Sequence, residues 1–193
     1  MAETKRHRRG SRLLVGLVIV ATPALGAGLY WFQPWKLWQN DAVHEALPAA
    51  PSSVSSAVPG PASANGGSPA PAAQAGPKTV AQGSLISHEH TTTGTAKVVR
   101  LPDGSHTLRL ENLDTSNGPD LRVWLSDAPV KEGAAGWRVF DDGKYVSLGK
   151  LKGNRGDQNY EIPADVNTAD YSSVTIWCAR FDVSFGAAAL GAV

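Results

Sequence analysis

Four turn clusters constrain this chain more than any other feature. They are PDGS at 102–105, SNGPD at 116–120, DDGK at 141–144 and KGNRGD at 152–157. Gly, Pro, Asn and Asp set or tolerate the backbone angles of tight turns. The clusters therefore divide the C-terminal region into separate segments. Between them the chain alternates. In SHTLRLENL, Leu108 and Leu110 alternate with Thr107, Arg109 and Glu111; in DLRVWLSD, Leu121, Val123 and Leu125 alternate with Arg122, Trp124 and Ser126. TTGTAKVVRL, KYVSLGKL, QNYEIP and SSVTIWCARF also read as strands. A period of two turns one face to a core and the other away from it. No helical period of ~10 residues or more interrupts this pattern, and no internal repeat is present. The expectation is an all-β fold: an antiparallel sandwich or barrel-like domain of about seven or eight strands. It occupies 79–193, long enough for one ordinary core.

The N-terminal region has a different plan. Lys5, Arg6, Arg8, Arg9 and Arg12 precede Leu13–Phe32, a run of 20 residues without a charge. At about 1.5 Å per residue, a helix of that length spans a hydrocarbon core of ~30 Å. Tyr30, Trp31, Phe32, Trp35 and Trp38 follow, with Lys36 among them. Aromatic rings favour the headgroup level, and the basic flank stays in the cytoplasm. The reading is a basic cytoplasmic segment at 1–12 and a transmembrane signal anchor at 13–32, partnered by the lipid bilayer. Localisation is then the cell membrane, single-pass, with the C-terminal domain outside. The small residues Ala24, Gly26, Ala27 and Gly28 leave a cleaved signal and a secreted protein as the alternative.

Residues 33–78 read as the aromatic belt and then a Pro/Ala/Ser-rich linker. Over 41–78 there are almost no large side chains. Such a stretch buries too little apolar area to offset its ordering entropy, so disorder is expected. Its residues span about 35 Å on average when fully flexible, more where prolines stiffen them. It serves either as a tether holding the domain away from the membrane or as a passive spacer.

Charge excludes one class of partner. From Thr79 onward there are 11 Lys/Arg against 14 Asp/Glu, which argues against a nucleic-acid surface. No phosphate-cradling glycine loop, paired metal-ligand spacing or Gly-x-Ser-x-Gly elbow is present, so the chain does not read as an enzyme by itself. Candidate residues come from separated positions. The only cysteine, Cys178, lies in VTIWCARFDVSFG, read as one central strand with Val174, Ile176, Cys178 and Arg180 on one face. Arg180, ~7 Å along that face, would favour the thiolate. The other reading makes Cys178 a small buried hydrophobe. His88 and His90 would share a strand face and, with Cys178, could meet copper or zinc; their other reading is a solvated strand end. Asp120 closes the turn Asn117–Gly118–Pro119–Asp120, either as a site residue beside Trp124 or as a plain turn residue.

Four blocks together resemble a known family: GTA at 94–96, NGPDLRVWLS at 117–126, YVSLGKLKGNRGDQNYEIP at 145–163 and VTIWCARFDVSFGAAAL at 174–190. They are similar to the DM-thirteen domain, an electron-transfer module, over 83–190. The resemblance implies an extracytoplasmic all-β module with Cys178 as redox thiol or as ligand to a prosthetic group such as haem. It matches His90 to the family's histidine before the first Gly-Thr turn, and Gly118, Pro119 and Asp120 to its Gly-Pro-Asp. Two functions follow as expectations. One is a redox module in which Cys178 carries the chemistry, Trp177 and Phe181 shield it, and His90 serves as a second ligand to haem or copper. An envelope redox protein would then complete the electron path. The other is a non-catalytic module that binds a cell-wall component or envelope protein.

Overall fold

The computed structural model describes residues 22–23, 25–31, 33–35, 39–48 and 76–193. Most of the expected anchor at 13–32, and 49–75 of the expected linker, lie outside the described residues. Among the described residues no helix is long and apolar enough to cross a membrane.

The strands in chain order are β1 (Ala42–His44), β2 (Lys78–Ser84), β3 (Ile86–Ser87), β4 (Thr93–Arg100), β5 (His106–Asp114), β6 (Leu121–Ser126), β7 (Tyr145–Lys150), β8 (Arg155–Ile162), β9 (Ser173–Cys178), β10 (Val183–Ala189) and β11 (Gly191–Ala192). They form a six-stranded sheet, β1-β8-β5-β4-β2-β11, and a five-stranded sheet, β3-β10-β9-β6-β7. The fold is a β-sandwich. Three strands, β1, β3 and β11, have only two or three residues; β4 through β9 correspond to the six alternating segments of the sequence, and β2 and β10 are added to them. All pairings are antiparallel except β1 with β8.

The period of two builds the core directly. Val98, Leu108, Leu110, Tyr160 and Ile162 from one sheet meet Val123, Leu125, Val174, Ile176 and Phe185 from the other. In β5 a bulge at Asn112, with φ 51°, breaks the register so that Leu113 turns inward like Leu108 and Leu110.

Two expectations are corrected. The stretch 174–186 is not one strand: β9 ends at Cys178, the chain turns through 179–182 with Asp182 at φ 50°, and β10 returns beside it. Apolar faces on both sides hid the turn, which has no Gly or Pro. The expected disorder over 41–78 also fails at its start, because Ala42–His44 form β1 on the edge of the six-stranded sheet. Composition missed this because docking there relies on polar partners and not on apolar burial.

Candidate functional site

β9 carries Cys178 as its last residue, between Leu121 of β6 and Val183 of β10. Its side chain belongs to the core between the sheets and is wholly buried. The strand ends there, so the local backbone is a turn whose peptide groups need partners. Ala179 N–H donates to Asp120 C=O at 3.0 Å, and Phe181 N–H to Cys178 C=O at 3.2 Å. Burial pushes the thiol pKa up. The peptide N–H groups of Arg180, Phe181 and Asp120 act in the opposite direction, and the nearby Glu89 carboxylate adds to the rise. The net direction is upward, because desolvation of the thiolate is the largest effect.

The sequence expected help from the Arg180 guanidinium. Its backbone N–H acts on the sulfur instead, and its guanidinium lies over the Trp31 ring at 4.5 Å. Arg180 left the strand face when the chain turned.

Trp177 does not shield Cys178. It faces the opposite side of the sheet, in a second cluster with Trp124, Ala128, Phe140 and Ala187. There its ring stacks on Trp124 at 5.0 Å, and Trp124 stacks on Tyr145 at 4.2 Å. Loop residues between β6 and β7 roof this cluster. Ser173 Oγ donates to Ala128 C=O at 2.8 Å, Ser126 Oγ to Phe140 C=O at 3.2 Å, and Ser184 N–H to Trp137 C=O at 2.8 Å.

His88 belongs to this roofed face. Its Nε2 lies 3.1 Å from Lys131 C=O, which can only accept, so the proton sits on Nε2. Its Nδ1 then accepts from Ser184 Oγ at 2.7 Å, and Ser184 accepts from Thr175 Oγ1 at 2.8 Å. Burial lowers the imidazole pKa, against the Lys131 carbonyl, which raises it. Both ring nitrogens are therefore engaged.

His90 goes elsewhere. Its ring packs on Phe185 with centroids 3.9 Å apart, and burial lowers its pKa despite Glu89 beside it. β3 ends at Ser87, so the two histidines follow a bend and do not share a strand face. The expected set of His88, His90 and Cys178 is not assembled. No group of three or more metal-ligating side chains occurs among the described residues.

Asp120 reaches the Cys178 region by its backbone. Its carboxylate bonds Arg122 at 3.3 Å, while its Oδ1 is buried without a hydrogen-bond partner among the described residues. Beside it a cavity of about 130 Å³ is lined by residues including Asp41, Asn117 and Lys152. That is smaller than the ~300 Å³ at which small-molecule pockets begin. A haem or copper centre on Cys178 does not fit: the sulfur is enclosed by apolar side chains, both ring nitrogens of His88 are engaged, and no ligand group forms around His90 among the described residues.

Sequence reasoning missed the hydroxyl row Ser126, Ser173, Thr175 and Ser184. The alternation in SVTIWC already separates Ser173, Thr175 and Trp177 from Val174, Ile176 and Cys178. The family described as Electron transfer DM13 matches residues 84–190. No match to the chain is found among curated proteins or among solved structures.

Proposed function

Because the chain belongs to the Electron transfer DM13 family through residues 84–190, we propose that it is an electron-transfer module with Cys178 as its redox group. One observation carries this reading: three peptide N–H groups, from Arg180, Phe181 and Asp120, favour the thiolate of a sulfur that is otherwise sealed. The thiolate is the reactive species of cysteine. With the site closed, desolvation wins and the thiol is protonated and inert. When the Phe181 side chain swings aside and the backbone of the 179–182 turn stays in place, water or a partner removes the desolvation penalty and the N–H groups remain. Phe181, 37% exposed, is the side chain at that entrance.

The step that fits a lone thiol is exchange with a protein disulfide. The Cys178 thiolate attacks one partner sulfur, the partner disulfide breaks, and the second partner sulfur leaves as a thiolate. The module is held outside the cell membrane by residues 13–32, and an envelope redox protein supplies the disulfide.

A second reading, a non-catalytic envelope-binding module with Cys178 as packing, draws on the complete burial of the sulfur and its raised pKa. Titration of the native protein with an aromatic disulfide reagent separates the two. A redox module reacts well before global unfolding, at a rate insensitive to mild denaturant. A thiol that reacts only as fast as the whole domain unfolds sinks the redox reading.

A further inference from the structure

Residues 40–48 open the stretch whose composition predicts disorder, yet they are built into the domain. β1 pairs with β8 at the edge of the six-stranded sheet. Side chains recognise it beyond the ladder. Asp41 N–H donates to Asn154 Oδ1 at 2.7 Å. The Glu45 carboxylate accepts from Lys152 Nζ at 2.7 and 2.9 Å and from Asn159 N–H at 2.8 Å. Arg109 donates to Glu45 C=O at 3.0 Å, and Asn159 Nδ2 to Ala46 C=O at 2.7 Å. Asn154 is 1% exposed, and its amide bridges Asn40 and the Thr115 carbonyl. Gly153 and Gly156 complete the seat. A Cβ on Gly153 would collide with the Asp41 carbonyl, one on Gly156 with the Val43 carbonyl.

The strap begins at the Cys178 end of the sandwich. Asn117 donates to the Asp41 carboxylate at 3.2 Å, and Asp120, three residues on, hydrogen-bonds Ala179 next to Cys178. Upstream, Trp31 lies against Arg180. Trp31, through Arg180, and Asp41, through Asn117, are thus both tied to the end that holds the sulfur.

We propose that residues 40–48 are an orienting strap, which clamps the Cys178 end of the domain toward the apolar N-terminal segment. The stretch between Pro48 and Gly76 then starts and finishes on one sheet and is not a spacer. The orientation rests on the reading of 13–32 as an anchor. With the strap docked, only 33–39 separate anchor from domain, at most ~25 Å of extended chain. Released, 33–77 would span about 35–40 Å on average, and more where prolines stiffen it. A partner of docked Cys178 must approach along the membrane surface, so it is a membrane-bound disulfide protein and not a soluble one.

The test uses the full chain in phosphatidylcholine vesicles. Amide exchange read by mass spectrometry should show 41–46 protected at least tenfold over an unstructured peptide. Glu45→Ala, and independently Lys152→Ala, should remove that protection while Leu108–Leu110 in β5 keep theirs. A fluorophore on Ser116→Cys, at the Cys178 end, should be quenched by headgroup nitroxides more than one on Asp103→Cys, at the far end. Both strap variants should erase the difference. Unprotected 41–46, or equal quenching at the two ends, overturns the proposal. A chain that does not float with vesicles overturns the anchor and hence the orientation. An unreactive thiol sinks the redox reading and leaves all these readouts unchanged.

Discussion

Trp177 and Cys178 are neighbours in sequence and lie on opposite faces of one sheet, and the two faces are covered in different ways. Cys178 faces the other sheet, whose backbone groups are already paired in their own ladders. Its surroundings are accordingly apolar: Leu121, Ile176, Val183 and Phe185. Trp177 faces a loop, whose peptide groups have no ladder and must be satisfied individually. That face accordingly alternates apolar rings with hydroxyls: Ser126 and Ser173 reach the roof, Ser184 reaches the His88 ring beneath it, and Thr175 donates to Ser184. What covers a sheet face is thus written in its side chains. An apolar face meets a second sheet; a hydroxyl-studded apolar face meets irregular backbone.

The largest expected effect tests whether the roofed face is a true core. Trp177→Ala removes a ring that is 1% exposed and stacked on Trp124. It should cost about 3–5 kcal/mol in urea unfolding. A cost under about 1 kcal/mol would mean that the loop collapses freely and that the two faces differ less than described.

The comparison also explains what the sequence made legible. The six alternating segments correspond to β4 through β9 and gave the sandwich, because period two reports a buried face wherever the cover is apolar; β2 had no such segment, and β10 was merged with β9. Cys178, His90 and Asp120 stand out by residue type and position, and the family resemblance matches the same three. Their mutual placement was not legible, since the turn at 179–182 contains no Gly or Pro to announce it. His88 looked like the partner of His90 because spacing by two implies a shared face, and that implication lapses once the strand ends at Ser87. β1 was invisible for another reason. Its seat depends on Asn154, Lys152, Gly153 and Gly156, over a hundred residues away, and nothing in AVHEA advertises them.

Next in size is the chemistry of the inner face. Cys178→Ser swaps a weakly polar atom for a hydroxyl that has no apolar tolerance, and should cost about 1–3 kcal/mol. Cys178→Ala should cost less than the serine variant, because it leaves only a small void. If serine proves the milder change, water already reaches the position, and the inner face is not dry.

His88 then sharpens the contrast through pH. Burial depresses its pKa, so in the unfolded chain the imidazole regains its ordinary value of ~6.5 and binds the proton first. Stability is therefore full above ~6.5 and declines as pH falls below it, until the native ring itself titrates. His90 is depressed by the same cause and adds to the decline. The slope of unfolding free energy against pH below 6.5 should flatten in His88→Gln and in His90→Gln, and flatten further in the double variant. An unchanged slope in His88→Gln would show that His88 binds its proton as readily in the folded protein as in the unfolded chain and is protonated in both below ~6.5. Its Nδ1 would then donate to Ser184, reversing the hydrogen bond inferred between them.

The smallest stability effect should accompany the largest change in access. Phe181 sits on the turn that closes over Cys178 and is 37% exposed, so its ring contributes little to the core. Phe181→Ala should change unfolding free energy by no more than about 1 kcal/mol, close to the range of surface substitutions. It keeps the Phe181 peptide N–H, and so leaves the donors at the sulfur in place. The native thiol should nevertheless react with a disulfide reagent at least tenfold faster, because reaching the sulfur no longer displaces a ring. The same change made on the other face, Tyr145→Ala, should leave that rate alone: Tyr145 is also partly exposed but stacks on Trp124, across the sheet from the sulfur. Equal acceleration in both variants would mean that the thiol is reached by loosening the whole sandwich. Acceleration in Phe181→Ala alone would identify the 179–182 turn as the entrance to Cys178.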